Sequence, residues 1–408
     1  MDGGFTEPSD FQRTRHIKYF ERMLDGVPAA FASQEPNLMT VVYFCVSGLD
    51  LLKAKESLQK RKETLVSFVY SLQCNYRLFG VGGFYGSLSD VSLNAVSLQS
   101  PHGFLPGPGL ARTYATLCTL VILEDNLSGV DRGGIRQLLR HSQSGSGSFH
   151  GALNILRKDP STFFEAFSED YESDMRFVYC ACAISEMTND WSGIDVEKML
   201  DFIWKSRTYE GGFAQVPGAE CHGGSTYCAV ASLFLLCTAK RKGLVPSDCD
   251  RSFPSLDELF PAERPAEIAS GSKERMQLIR WLVLRQVRGF TGRPNKPEDS
   301  CYTFWIGASL KMLGASSFVD ERRLNAFCME TQDAIIGGFA KWPSSRSDPM
   351  HAYLCISGLS MLRRYGSSSR EEPDVSDEGV SQPALLRPVN PALNISIQKS
   401  IKLLGKSS

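Results

Sequence analysis

The stretch EGGFAQVPGAECHGGSTYCAVASLFLL (210–236) decides the fold. It opens with a Gly-Gly-Phe step and ends in a long apolar run, TYCAVASLFLL (226–236), in which small residues are interleaved with large ones. A run that is apolar on all sides is typical of a buried helix. The preceding segment, EKMLDFIWKS (197–206), has helical periodicity and one polar face, which indicates a helix at the surface. The unit therefore pairs an outer helix with an inner one.

The same unit occurs five times along the chain. Each copy has a glycine-aromatic step before its apolar run, and the step phenylalanines are Phe84, Phe149, Phe213, Phe290 and Phe339. Glycine adopts a positive φ at little cost, so each step permits a sharp reversal between the two helices. An early pair of segments, His16 to Leu24 and Leu38 to Ala54, predicts a sixth unit.

Outer and inner helices that alternate in this way predict an all-α fold, an α/α toroid in which six helix pairs close into a ring. From the pattern alone, an open helical solenoid is the alternative. Residues 1–365 form the predicted barrel, and the proline-rich segment 244–271 is a loop within it. The acidic, serine-rich segment 366–391 is predicted to be disordered. Residues 392–408 are predicted to pack back on the barrel as a tail.

Composition excludes several classes of protein. The chain has 408 residues, of which 42% are hydrophobic, and its net charge is −1, so no strong field for nucleic acid or an anionic membrane is expected. The longest apolar run, Leu38 to Leu52, contains Asp50 and is too short to span a bilayer. Twelve cysteines lie mostly in apolar runs without disulfide-type spacing, which favours a reducing compartment and predicts a cytoplasmic protein.

Residues just before the apolar runs are expected to converge at one rim of the barrel, because the inner helices begin there. Asp299 and Cys301 precede one run, and His351 stands at the equivalent point of the next unit. Taken singly, they are better explained as a helix cap, a buried thiol and a satisfied polar residue. Together they supply three zinc ligands and leave the fourth position open, as in catalytic zinc sites.

Cations without obvious carboxylate partners close in sequence are expected at the same rim. Taken singly, each is as well explained as a solvated charge. As a cluster above an apolar cavity they predict an anion site, most naturally for a diphosphate with an apolar tail. The chain contains no Walker loop or dinucleotide fingerprint, so a nucleotide is not expected. The cluster consists of Arg176, His222, Arg293, Lys296 and Lys341.

Three stretches carry a resemblance to a known family: ECHGGSTYCAVASL (220–233), GRPNKPEDSCYTFW (292–305) and GGFAKWPSSRSDPMHAYLCISGLSML (337–362). They closely resemble the β subunits of protein prenyltransferases, in particular the geranylgeranyltransferase type I branch. The resemblance extends from about residue 20 to about residue 396. It implies transfer of a geranylgeranyl group from geranylgeranyl diphosphate to the cysteine of proteins that end in a CaaX box, X normally being leucine or phenylalanine.

The resemblance also implies cofactors, partners and roles for individual residues. It implies one zinc ion per β subunit, and an obligate heterodimer with an α subunit that is shared with farnesyltransferase. Protein substrates would include Rho- and Rac-type small GTPases. The family's zinc ligands fall on Asp299, Cys301 and His351. Its remaining site residues fall on His222, Arg293, Lys296 and Tyr302 for the diphosphate, Arg176 for the cavity lining and Trp305 for the isoprenoid wall.

Two positions separate the related enzymes, and a third departs from the family pattern. The farnesyl enzyme narrows its lipid cavity with a tryptophan where this chain has Thr40, so more room for the lipid is implied here. Lys341 replaces an aspartate that helps to bind magnesium, which implies that magnesium is dispensable. Gly109 stands where the family usually has a histidine near the last peptide residue, and this affects the expected preference for that residue.

The rival hypotheses are a farnesyltransferase β subunit, a rab-type geranylgeranyl enzyme, a terpene cyclase and a non-catalytic scaffold. A terpene cyclase would need an acidic protonating motif such as Asp-x-Asp-Asp, which does not occur in the sequence. A scaffold would have no reason to bind zinc. A preference for the twenty-carbon or the fifteen-carbon diphosphate distinguishes a geranylgeranyl enzyme from a farnesyl enzyme.

Overall fold

The computed structural model describes residues 11–26, 29–76, 80–97, 104–156, 172–261, 272–362, 365 and 385–404. Its outer helices are α1 (Arg13–Asp25), α3 (Lys55–Ser71), α6 (Arg132–Ser142), α8 (Val196–Lys205), α11 (Lys273–Val283) and α13 (Glu321–Glu330). Its inner helices are α2 (Leu38–Leu51), α5 (Leu110–Ile122), α7 (Met175–Thr188), α9 (Gly223–Arg241), α12 (Tyr302–Met312) and α14 (Pro349–Leu359). Shorter elements are α4 (Leu88–Ser97), α10 (Leu256–Leu259), α15 (Ile397–Leu404) and the 3-10 segments Ala29–Asn37 and Ser316–Phe318.

The inner helices form a closed ring. Each of them packs against the next one along the chain, and α14 packs against α2, so the last inner helix meets the first. Most residues of these helices are buried, whereas α3 on the outside buries only Val69. The predicted α/α toroid is therefore confirmed, including the early sixth unit, and the open solenoid is excluded because a solenoid has free ends.

Short antiparallel pairs of strands connect the helices. They are β1 (Gln73–Tyr76) with β2 (Val81–Phe84), β3 (Phe104–Gly109) with β5 (Ala152–Leu156), β4 (Phe149–His150) with β6 (Ser173–Asp174), and β7 (Val389–Asn390) with β8 (Ile395–Ser396). Every step phenylalanine pairs with a residue that follows the preceding outer helix. These pairs are Gln73 with Phe84, Gln143 with Phe149, Arg207 with Phe213, Gln286 with Phe290 and Gln332 with Phe339.

Four of those partner residues are glutamines that also tie neighbouring units together, and we call them the seam glutamines. Gln143 is typical: its Oε1 accepts the Asp195 N–H at 2.7 Å, and its Nε2 donates to the Asp195 carbonyl at 2.9 Å. Asp195 is the N-cap of α8, the next outer helix. The others accept the backbone N–H that precedes their next outer helix: Gln73 from Asp131, Gln286 from Asp320 and Gln332 from Gln12.

Two step glycines show why the steps require this residue. Gly147 has φ 90°, and a Cβ there would lie 1.9 Å from the carbonyl oxygen of Lys198 in α8. Gly337 has φ 80°, and its Cβ would lie 2.3 Å from the carbonyl oxygen of Arg15 in α1. Both the backbone conformation and the close approach of the next outer helix therefore exclude other residues.

The tail closes the end of the barrel that lies opposite the starts of the inner helices. Its carbonyl groups from Pro391 to Asn394 accept hydrogen bonds from tyrosine hydroxyls that point inward from the inner helices. Its helix α15 packs on α5. The tyrosines are Tyr43, Tyr114, Tyr179, Tyr227 and Tyr353, each in the second turn of its helix, so the tail reaches deep into the barrel. At the far end itself the tail contacts Asp50 and Glu124.

Two predicted boundaries need correction. Residues 366–384 of the segment expected to be disordered lie outside the described residues, but 385–391 are packed. There Leu386 is fully buried, and Arg387 donates to the Leu51 and Asp50 carbonyls because its neighbours anchor the tail on α2. The predicted loop 244–271 contains the helix α10, and its residues 262–271 lie outside the described residues. In the parts of the chain that the structure describes, no helix combines the length and hydrophobicity needed to cross a membrane.

Candidate active site

Three side chains that could bind a metal meet at the rim where the inner helices begin. Cys301 is the N-cap residue of α12, Asp299 precedes it by two residues, and His351 lies in the first turn of α14. One ligand atom from each lies within 4.8 Å of the others, and all three residues are buried. Asp299 Oδ1 accepts the Cys301 N–H at 2.9 Å and lies 3.4 Å from His351 Nε2. The structure thus brings together the predicted ligand set.

Asp348 orients the histidine, and the sequence analysis missed it. It is the N-cap of α14: its Oδ1 accepts the N–H groups of Met350 and His351 at 3.0 Å. Its Oδ2 lies 2.6 Å from His351 Nδ1. A carboxylate bound to one ring nitrogen leaves the other nitrogen to face the cluster, as at most histidine metal ligands. The Asp-Pro pair at 348–349 is a typical helix start and was the available signal.

The electrostatics of the cluster favour a cation. Burial raises the pKa of the Cys301 thiol well above its usual range, and the Asp299 carboxylate raises it further. Burial alone would lower the pKa of His351, but its hydrogen bonds with Asp299 and Asp348 raise it to about 9. Next to the Asp299 carboxylate, the Cys301 thiol and the His351 ring therefore retain protons that a divalent cation would displace. The donor set, one oxygen, one sulfur and one nitrogen, fits zinc.

His222 and Tyr302 form a hydrogen-bonded pair beside the cluster. His222 is the N-cap of α9, and its Nδ1 accepts the Gly224 N–H at 3.0 Å, so the ring proton is assigned to Nε2. Nε2 lies 2.9 Å from the Tyr302 hydroxyl. Burial, and then the nearby Arg293, lower the pKa of His222, so the ring stays neutral. The Tyr302 hydroxyl accepts from His222 and keeps its own hydrogen for donation.

The other predicted cations differ in their partners. The Arg293 guanidinium pairs with the Glu220 carboxylate. Lys341 Nζ lies 3.9 Å from Asp299 Oδ2 and 4.6 Å from the centre of the Trp342 ring. The side chain of Lys296 is exposed on the loop after Arg293. Of these cations, Lys341 lies at the edge of the cluster and Arg293 lies near His222.

Arg176 requires a correction. No carboxylate partner close in sequence is expected for it, but its guanidinium forms ion pairs with Glu172 and Asp174, both at 2.7 Å. The buried Asp174 is the N-cap of α7, so it serves the helix and the arginine together. Strand β6 leads directly into α7 there. This turn places the carboxylates of Glu172 and Asp174, four and two residues before Arg176, beside its guanidinium.

Two residues assigned to the lipid lie at the start of inner helices. Thr40 is half-buried in the first turn of α2. Trp305 is half-buried in the first turn of α12, and its ring centre lies 4.9 Å from that of Tyr227. Gly109 is the N-cap of α5, where a Cβ would lie 3.1 Å from the Gly151 carbonyl oxygen. Their roles towards a lipid or a peptide stay predictions.

Ser300, between the two predicted ligands, was also missed. Its N–H donates to the Lys341 carbonyl at 2.9 Å, and its hydroxyl donates to the Ala340 carbonyl at 2.7 Å. It is fully buried. Both contacts join the ligand-bearing turn before α12 to the segment that carries Lys341, and no signal in the sequence distinguished this serine from others.

Known proteins of one kind match this sequence and structure along most of the chain. The family model described as a prenyltransferase alpha-alpha toroid domain matches residues 11–395. A geranylgeranyl transferase type-1 subunit beta of Dictyostelium discoideum is 36% identical over 84% of this chain and 88% of its own. One from Arabidopsis thaliana is 33% identical over 88% and 87%. A solved structure, Candida albicans protein geranylgeranyltransferase-I complexed with GGPP, superposes with a TM-score of 0.74 at 22% identity, covering 98% of this chain and 99% of that one.

Proposed function

The chain belongs to the prenyltransferase family of α-α toroids, and from this premise we propose that it is the catalytic β subunit of a zinc-dependent protein geranylgeranyltransferase type I. It transfers the geranylgeranyl group of geranylgeranyl diphosphate to the cysteine thiol of proteins that end in a CaaX box. The observation that carries the proposal is the meeting of Asp299, Cys301 and His351 beside the His222–Tyr302 pair at one rim.

Zinc is the proposed cofactor, with one ion per β subunit. Asp299, Cys301 and His351 would hold it, and Asp348 would keep the His351 ring in orientation through Nδ1. A bound zinc ion supplies one thing here, a lower pKa for a substrate thiol, so that the thiolate predominates near neutral pH. In the transfer, the substrate sulfur forms a bond to C1 of the lipid, the bond from C1 to the diphosphate oxygen breaks, and diphosphate leaves.

The departing diphosphate needs donors and positive charge, and the rim supplies both. The Tyr302 hydroxyl is orientated by His222, and Arg293, Lys296 and Lys341 bring three cationic side chains to the same rim. Fixed donors of this kind stabilise negative charge that grows during the reaction. Lys341 is proposed to take the place of magnesium, because an ammonium beside Asp299 can contact the phosphate directly. Magnesium is therefore not required.

The lipid is proposed to enter among the first turns of the inner helices. Trp305 would form part of its wall, Arg176 would line the cavity, and Thr40 would leave space for a fourth isoprene unit. The small side chain at residue 40 favours the twenty-carbon lipid over the fifteen-carbon one. A farnesyltransferase β subunit is the second candidate, and residue 40 is the position that separates them.

An α subunit, the one shared with farnesyltransferase, is the proposed partner in an obligate heterodimer. An exposed apolar row supports this: Tyr209, Val287 and Ile335 precede the glycine steps of three successive units and are 96%, 57% and 83% exposed. These units also carry His222, Cys301 and His351, so a subunit seated there would border the site. None of the twelve cysteines forms a disulfide bond, which supports a cytoplasmic location. Protein substrates of the Rho and Rac type complete the proposal.

Lipid competition with the purified heterodimer tests the proposed function. Wild-type protein offered equal amounts of the fifteen- and twenty-carbon diphosphates, with a peptide that ends in Cys-a-a-Leu, should transfer mainly the twenty-carbon group. Thr40→Trp should reverse the preference by roughly tenfold or more, since a bulky ring fills the space for the last isoprene. Metal analysis should find one zinc per heterodimer. A preference of the wild type for the fifteen-carbon lipid would support the farnesyl enzyme instead.

A further inference from the structure

At one place the ring is closed by non-covalent contacts alone, because the first and last units are not consecutive in the chain. At this closing seam the N-terminal helix α1 meets residues 332–338, which precede α14. Arg15 and Arg22 donate to the carbonyls of Ile335 and Ile336 there. The other seams join units that follow each other in the chain, so each is also held by a covalent connection.

His16 lies at the centre of the closing seam. Its side chain is fully buried, its Nε2 lies 2.9 Å from Gln332 Oε1, and its Nδ1 accepts the Gly338 N–H at 2.9 Å. The ring stacks on Phe339, with centres 4.6 Å apart and planes inclined by 19°. Both ring nitrogens are used only in the neutral form, because protonated Nδ1 would face a second donor. Accordingly, burial lowers the pKa of His16 to about 4.

The segment that His16 holds is the one that carries Lys341. From its other side, Ser300 donates to the carbonyls of Ala340 and Lys341, and Ser300 stands between Asp299 and Cys301. The segment from Gly338 to Lys341 is thus held between α1 and the ligand-bearing turn. A shift of the segment at Gly338 would move Lys341 relative to the predicted metal ligands.

We propose that His16 is a positioning residue for the transfer reaction: it fixes the segment from Gly338 to Lys341 and so sets where the Lys341 ammonium meets the diphosphate. This rests on the proposed function, in which Lys341 contacts that diphosphate. His16 itself does not touch the substrate. Helix α1 therefore supports the active site indirectly, across the closing seam.

A double-mutant cycle in the heterodimer tests the proposal. His16→Phe keeps an aromatic ring on Phe339 but loses both hydrogen bonds. In the wild-type background it should lower kcat/KM for geranylgeranyl diphosphate about tenfold, because a small displacement of a charged group is costly in a transition state. In a Lys341→Ala background the same change should have less than about a twofold effect, because residues that act through one another are not additive. Zinc content should stay at one per heterodimer.

Gln143→Leu is the matched control, since it removes the equivalent clamp at the seam between α6 and α8. It should lower the melting temperature as His16→Phe does, yet leave kcat/KM within about twofold. Equal losses from His16→Phe in both backgrounds, or an equal loss from Gln143→Leu, would show a merely structural role.

If His16→Phe does not fold, Arg15→Ala carries the test, because it removes only the adjacent contact with Ile335. A smaller loss that disappears in the Lys341→Ala background supports the proposal, and a loss that persists there overturns it. The result is separable from the proposed function. An inactive wild-type heterodimer contradicts the enzyme assignment, whereas an active one with no coupling between residues 16 and 341 contradicts only the positioning role.

Discussion

The two ends of the barrel are built from the same inner helices but treat polar groups in opposite ways. At the closed end the acids Asp50 and Glu124 meet Arg387 and Lys399 of the tail. Further inside, the tail carbonyls accept the tyrosine hydroxyls. At the open rim, Asp299, Cys301 and His351 bring three electron-pair donors together. The closed end satisfies its groups internally and so contributes stability. The rim brings together electron-pair donors whose best partner is a bound cation, which is typical of a functional site.

The largest expected effect lies at the rim. Cys301→Ala should abolish the binding of one zinc and lower prenyl transfer at least about a thousandfold, equivalent to ~4 kcal/mol, because one of three ligands is lost. Metal analysis and a transfer assay measure this. The melting temperature of the metal-free protein should change little. Cys182→Ala, which removes a buried thiol that contacts Met199 instead, is the control, and a Cys301→Ala protein with its zinc intact would refute the ligand assignment.

The second effect concerns the tail at the closed end. Here stability should fall while zinc binding is kept, the reverse of the result expected at the rim. Asn394 Oδ1 accepts the hydroxyls of Tyr353 at 3.0 Å and Ser357 at 2.8 Å, and Asn394 has φ 51°. Asn394→Ala leaves the buried Ser357 hydroxyl without its acceptor, while Tyr353 keeps the Asn394 carbonyl. It also places alanine in the left-handed region, so it should cost about 3 kcal/mol of unfolding free energy. Chemical denaturation measures it. Zinc content should not change, and loss of zinc would mean that the two ends are not independent.

The third effect again concerns chemistry at the rim. His222→Ala removes the group that orients the Tyr302 hydroxyl, so the rate of transfer should fall about ten- to a hundredfold with the zinc retained. Single-turnover kinetics with excess enzyme measure this step. Tyr302→Phe, which removes the hydroxyl itself, should give a similar fall, and the double variant should be little worse than either. Unchanged single-turnover rates in both variants would exclude a diphosphate role for the pair.

The smallest effect is a pH dependence at the closed end. Hydrogen bonds from Lys399 and Lys402 lower the pKa of Glu124 to about 2. Because the folded-state pKa is depressed, this stability is fully present above the usual glutamate range and is lost as pH falls through about 2. The Glu124 side chain is 41% exposed, so solvent screening reduces the contribution to about 1 kcal/mol or less. Glu124→Gln should show a correspondingly smaller loss between pH 5 and 2, and identical acid unfolding curves would exclude the effect.

The sequence predicted the rim better than the seams. Asp299, Cys301 and His351 could be placed together because each precedes an apolar run, and repeated units bring equivalent positions to one end. Asp348 was recognisable as a helix cap but not as a partner of His351. The seam glutamines were not recognised, because their contacts are with backbone groups of the following unit. Any residue can supply a backbone N–H, so the partner position carries no recognisable residue type.

Arg176 and the tail show a second limit. The carboxylates of Glu172 and Asp174 were close in sequence, but only the turn from β6 into α7 directs them at the guanidinium. The packed residues 385–391 were assigned to a disordered segment because their composition resembles a linker. Their order comes from the contacts of Leu386 with the Tyr365 carbonyl and of Arg387 with Leu51 and Asp50. No local pattern near residue 390 records these distant partners.

By itself, the sequence determined the class of fold, the number of units and the rim at which the chemistry collects. These follow from periodicity, since the spacing of apolar residues sets which side of a helix is buried. Only the tertiary structure decided how the ring closes, with His16 against Gly338, and what fills its far end. Those contacts join residues more than 300 positions apart, and their geometry depends on the packing of the whole ring.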